Sequence, residues 1–189
     1  EIFPRSLNGL FKKLRIVLNF IFKNFHRFKF DFNGVIGLKS IFWFLLLDVD
    51  KIPAESKIHS QFATQAALCS ILIKKYYNDK PQISFTCHAH DIFFNNAWLN
   101  LMVDESTICF SISQYNIDYI KKKYLTADGM EVSRLGVWHN GKPIERSSPK
   151  KPFVIGFMSW FVEKKGLKYL LEAILNLHRN TNIDFKLVL

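Results

Sequence analysis

Cysteine, acidic residues and long apolar runs are all scarce in this chain, and each shortage excludes something. The three cysteines, Cys69, Cys87 and Cys109, lie inside apolar segments with no C-x-x-C spacing. That argues against a disulfide framework or a metal knuckle and for buried thiols in a reducing compartment. The longest apolar runs, Ser40 to Leu47 and the stretch from Val35 that Lys39 interrupts, fall short of the roughly 20 residues that span a bilayer. No signal-peptide layout opens the chain. Sixteen acids face 26 Lys and Arg, a net charge of +10. An anionic partner fits that balance, whether phosphate, nucleic acid or lipid headgroup, and so does a solvated basic surface. There are no internal repeats or low-complexity segments.

What is present is apolar patterning, 49% of 189 residues, enough for a sizeable core. The most informative stretch runs from Lys57 to Phe93. Ile58 to Phe62 reads as a strand carrying His59. A helix from about Ala63 to Tyr77 is apolar nearly all round, so it packs on more than one side. Asn78-Asp79 and Pro81 stop it. Ile83, Phe85 and Cys87 alternate with Ser84 and Thr86 in a second strand, followed by a polar loop. Two strands joined by a crossover helix lie parallel. Ligands of such units bind beyond the carboxyl ends of the strands, where His59, His88, His90 and Asp91 cluster in the sequence.

Before this unit, Leu7 to about Phe25 shows helical spacing of Leu7, Leu10, Phe11, Leu14, Val17, Leu18, Ile21 and Phe25. Residues 1–47 hold eight Lys and Arg against Glu1 and Asp31. A basic, Phe-rich helix suits an anionic membrane surface through residues 7–29, or an apolar stripe packed on the protein with lysines in water. Phe30 to Gly37 reads as a loop with an Asn33-Gly34 turn, and Leu38 to Leu47 as a buried helix. After Phe93 come a short helix near Ala97 to Met102, a strand from Thr107 to Ile112 and a helix capped by Ser113. Tyr115, Ile117, Ile120 and Tyr124 are candidates for that helix's inward face. A strand from Glu131 to Leu135 completes an open, mostly parallel α/β sheet.

Trp138 to Lys151 is polar, with no apolar period, and marks a linker. Residues 1–150 are thus expected as one partial domain and 152–189 as the start of another. Pro152 to Met158 and Asp184 to Leu189 read as strands around a helix opened by Gly166, with Leu167, Leu170, Leu171, Ile174 and Leu177 inward. One strand, one helix and one strand cannot close a core, so the chain is expected to be a piece cut within its second domain.

Two constellations carry chemistry. His88, His90 and Asp91 could supply two imidazoles and a carboxylate to a metal. The same residues could hydrogen-bond the loop backbone, cap the next helix, or donate to a phosphate or sugar oxygen. Glu163-Lys164-Lys165-Gly166 precedes a helix N-terminus, where Lys165 adds a charge and Gly166 admits an anion to the backbone.

The order of five segments resembles glycosyltransferase family 4, in its exopolysaccharide-building branch. The segments are IHSQFAT, FTCHAHDIF, FSISQYN, VSRLGV and FVEKKGLKYLLEA, spread from Ile58 to Ala173. The resemblance implies a two-domain GT-B fold, each domain Rossmann-like, with this chain lacking both ends. It implies a retaining glycosyltransferase that moves a hexose from a nucleotide-diphosphate sugar to a glycan or lipid-linked acceptor in surface glycan synthesis. His88 and Asp91 take the catalytic positions, and His59, Lys165 and Gly166 the substrate-binding ones. The donor sugar is a substrate. No metal or other cofactor is expected, and the aromatics form no basic stacking platform for nucleic acid. The parent would be cytoplasmic, peripheral on the inner face of the membrane. Trp160 stands where the family has an Arg, Trp138 where it has an Asp, and Gln61 where the branch has a second His. The family's E-x₇-E donor motif would lie beyond Leu189. Two other readings remain: a metal-dependent hydrolase using His88, His90 and Asp91, or a non-catalytic relative that docks on membranes.

Overall fold

The computed structural model describes residues 7–126, 128–136, 141 and 152–189. The chain divides into two compact units, Glu1–Val137 and Trp138–Leu189. Of the stretch read as a linker, 138–151, all but Gly141 lies outside the described residues.

The first unit is built on four strands in sequence order: β1 (Lys57–Ser60), β2 (Gln82–Cys87), β3 (Ile108–Ser111) and β4 (Met130–Val132). Every neighbouring pair is parallel. The fold is therefore α/β with a parallel sheet, as the strand–helix alternation predicts. Helix α3 (Gln65–Tyr76) crosses from β1 to β2. It packs against both strands and also against α1 (Leu7–Asn24) and α2 (Phe32–Leu46). Contacts with both layers explain why its sequence is apolar nearly all round. Asn78 and Asp79, at φ 52° and 67°, turn the chain out of the helix. Tyr76, Leu68, Leu72, Phe85, Cys87, Trp98 and Met102 are among the residues of one continuous core.

Two expectations about the N-terminal helices need correction. Helix α2 begins at Phe32, inside the segment read as a loop. The Asp31 carboxylate accepts the Asn33 and Gly34 backbone N–H groups at 2.8 and 3.2 Å, an N-cap that overrides the turn tendency of Asn-Gly. Gly34 and Gly37 serve close approach. A Cβ on Gly34 would lie 1.8 Å from the Lys29 carbonyl oxygen, and one on Gly37 would lie 2.8 Å from the Trp98 ring.

Helix α1 spans nearly the expected residues but presents a different face inward. Lys13, Val17, Phe20 and Asn24 are buried, whereas Phe11, Leu14, Leu18 and Phe25 of the expected apolar stripe are exposed. Two apolar stripes share this helix, and spacing alone does not say which one meets the protein. Lys13 joins the buried face because its ammonium donates to the Leu45 and Leu47 carbonyls at the end of α2. Among the described residues, no helix is long and apolar enough to cross a membrane.

Helix α5 (Leu99–Glu105) precedes β3, and Lys74 and Lys75 of α3 both pair with its Glu105. Helix α6 (Gln114–Tyr124) starts where Ser113 accepts the Asn116 N–H at 3.3 Å, the expected cap. Ile117 and Ile120 face inward as expected, but Tyr115 is exposed.

In the second unit, β5 (Phe153–Gly156) pairs in parallel with β6 (Phe185–Val188), with α7 (Leu167–Asn180) between them in sequence. The stripe read as inward is only half-buried, and Leu171 is exposed. Among the described residues of this unit none is buried, which is what a single β–α–β layer allows.

Candidate functional site

Parallel strands leave their last residues side by side. Register places Ser60 against Phe85 and Cys87 against Ser111, so β1, β2 and β3 end along one edge. The chain leaves β2 at His88 and enters α4 (Ala89–Phe93), a five-residue helix within the segment read as a polar loop. The fold of that corner depends on Asp91. Its Oδ2 accepts the His88 backbone N–H at 3.0 Å and the Ala63 backbone N–H at 3.0 Å. One carboxylate oxygen thus joins the exit of β2 to the entry of α3. Asp91 is 1% exposed. Burial raises its pKa, against the opposing pull of the His88 and Ala63 N–H groups and of the nearby His88 and His90.

A second loop holds this corner in place. Asn96 is buried, and its side-chain amide donates to the carbonyls of Ala63 and Asp91 at 2.7 and 3.2 Å. Its backbone N–H donates to the Tyr124 hydroxyl, which donates in turn to the Ile92 carbonyl. Trp98, fully buried, donates its indole N–H to the Asn33 carbonyl and stacks on Phe20. Residues far apart in sequence therefore fix where His88 stands.

Three buried polar atoms at this edge have no hydrogen-bond partner among the described residues: His88 Nε2, Asp91 Oδ1 and Ser111 Oγ. Buried polar atoms are nearly always paired, so these three, carried by residues at or just beyond the ends of β2 and β3, are polar groups left open to a partner. Phe62, exposed, lies over His88 with ring centroids 4.8 Å apart. Ser111, Asn96 and Phe62 were not evident as site residues in the sequence. The only trace of Ser111 was a small polar residue closing an apolar strand.

The other predicted residues separate. His59 stands on β1 in register with Ser84, three residues before β2 ends. It is exposed on a sheet face, with Nδ1 2.9 Å from the Ser84 hydroxyl and Nε2 3.2 Å from the Thr86 hydroxyl. It therefore belongs to the sheet face and not to the orphaned edge. His90 is exposed and packs against Phe32 and Phe94. Among the described residues, no group of three or more His, Cys, Asp or Glu side chains is placed to hold a metal, the trio of His88, His90 and Asp91 included.

In the second unit, Glu163–Lys165 forms a 3-10 turn before α7. Gly166 lies at φ 73°, ψ 19°, a left-handed conformation that favours glycine, and caps the helix. Lys165 is exposed beside that helix start, and Trp160 is 83% exposed. Gly166 thus stands at the start of α7, as read from the sequence.

The chain matches no protein-family model, and no curated protein matches its sequence.

Proposed function

We propose that the chain is part of a retaining glycosyltransferase of the GT-B type, acting on a nucleotide-diphosphate sugar. The observation that carries the reading is the set of orphaned polar atoms at the carboxyl edge of a parallel sheet, where α/β folds receive ligands. It falls on His88, Asp91 and Ser111, which lie in FTCHAHDIF and FSISQYN, two of the four segments whose pattern resembles the family's acceptor domain.

In this reading His88 Nε2 contacts a hydroxyl of the transferred sugar or of the acceptor. Ser111 Oγ offers a second donor or acceptor at the same edge. Asp91 acts as a positioning residue: with Oδ2 engaged twice, it holds the His88 backbone in place. The second unit supplies Lys165 and the N–H groups beyond Gly166 to the donor diphosphate, whose charge grows as it leaves. Such preorganised donors typically contribute about 10²- to 10³-fold in rate. Retention follows from an oxocarbenium-like transition state whose leaving diphosphate stays on the face that the acceptor enters. The acceptor is a glycan or a lipid-linked sugar.

The test is transfer of labelled sugar from a panel of nucleotide-diphosphate sugars to lipid and polysaccharide acceptors, by the protein expressed from its complete reading frame. Turnover with one donor is expected, and His88→Ala should reduce it about 10²- to 10³-fold without altering the melting temperature. Failure to bind or consume any nucleotide sugar, or full activity in the folded His88→Ala variant, refutes the reading.

A further inference from the structure

The apolar stripe that α1 turns away from the protein has no counterpart in the core. Phe11, Leu14, Leu18 and Phe22 recur at three- and four-residue spacing on one face, with Phe22 86% exposed, and Phe25, also exposed, follows in the turn just past the helix. Lys12, Arg15, Asn19 and Lys23 form the next stripe around the helix, also exposed. Helix α2, packed against α1, exposes Val35, Leu38, Phe42 and Trp43, with Lys39 among them. Across residues 7–47 the sequence has seven Lys and Arg and a single acid, Asp31.

We infer that α1 and α2 dock the protein on an anionic lipid leaflet, with the α1 phenylalanines at the boundary between headgroups and acyl chains. The charge pattern selects this occupant. A covering surface must be apolar where it meets Phe11, Leu18 and Phe22 and anionic where it meets Lys12, Arg15 and Lys23, one helical step away. A leaflet with acidic headgroups meets both demands at once. A second copy of the same face would bring the basic stripes together and repel. A groove of about 510 Å³ opens on the basic side, lined by Lys12, Arg15, Ile16, Asn19, Lys75 and Asn78; Lys75 is paired with Asp79 and Glu105, so Lys12 and Arg15 are the cations it offers a lipid phosphate. The inference is independent of the transferase reading, since it uses none of the residues at the strand edge.

The test is co-sedimentation of the full chain with vesicles of phosphatidylcholine alone and of phosphatidylcholine with phosphatidylglycerol. Binding is expected only to the anionic vesicles. It should weaken as salt rises from about 0.1 M to about 1 M, over which the screening length falls from ~10 to ~3 Å. Arg15→Gln and Lys23→Gln should each weaken it about fivefold. Leu18→Ser with Phe22→Ser, at exposed positions that leave the fold intact by circular dichroism, should abolish it. Absence of binding at low salt, equal binding to neutral vesicles, or wild-type binding by the Leu18→Ser/Phe22→Ser variant overturns the inference. So does self-association through these residues in sedimentation velocity.

Discussion

Asp91 holds the His88 backbone through a carboxylate oxygen that also holds Ala63, with both N–H groups 3.0 Å away. The relationship joins the end of β2 to the start of α3. It places the His88 ring by fixing the main chain on either side of the corner.

Removing that carboxylate has a cost that can be read in two ways. Asp91→Ala leaves two buried N–H groups without an acceptor, at about 1–3 kcal/mol each, so unfolding free energy should drop by several kcal/mol. Burial raises the Asp91 pKa in the folded state. The native protein then keeps a proton that the unfolded chain has released. Stability carried by Asp91 is full below the ordinary carboxylate range and declines as pH rises through the folded value. Urea midpoints across that range should show this decline in the wild type and not in Asp91→Asn. Parallel curves for the two proteins would contradict it.

Gly34 and Gly37 predict a graded pair. A Cβ at position 37 meets the side chains of Phe28 and Trp98 at 2.7 and 2.8 Å, and rings can shift. Gly37→Ala should cost about 1–3 kcal/mol, as overpacking does. At position 34 the Cβ would lie 1.8 Å from a backbone oxygen, that of Lys29. The helix or the preceding turn must then move, so Gly34→Ala should be the more damaging of the two. Denaturant melts of both variants decide the order.

These glycines also show where sequence reading succeeds and where it stops. The β1–α3–β2 unit was legible because strand alternation, an all-round apolar helix and the Asn78-Asp79 stop all point the same way. The start of α2 was not, because Asn33-Gly34 favours a turn until the Asp31 cap and the Trp98 contact are known. The face of α1 was not, because a buried lysine reads as a solvent residue and an exposed Leu18 as a core one. His88 and Asp91 stood out as polar residues after an apolar strand. Ser111 and Asn96 did not, since their roles come from neighbours that only the folded sheet and the 94–98 loop bring near.

The three thiols should behave as interior groups. All are buried, and burial pushes Cys69 and Cys109 up to about 12, with Cys87 raised further still. Thiolate is the reactive form, so a thiol reagent at neutral pH should label none of them in the folded protein. Labelling should appear with unfolding of the first unit and involve all three together. Fast modification of any one in native conditions would show that its segment opens separately.

Lys13 offers the opposite pH test. Its ammonium is buried against the last carbonyls of α2, with its nitrogen 5.7 Å from the Phe44 ring centroid. Desolvation lowers its pKa, and the charges of Asp50 and Asp48 recover part of the loss. In the window between the folded value and the ordinary lysine value, the unfolded chain holds a proton that the native protein lacks. Stability attributable to Lys13 must therefore rise as pH climbs through that window. Lys13→Met fills a similar volume and cannot titrate. The difference in unfolding free energy between wild type and Lys13→Met should move in favour of the wild type as pH rises from neutral toward 10.5, the ordinary lysine value. A difference that stays flat, or that moves toward the methionine variant, would mean that the ammonium is better solvated than its burial implies.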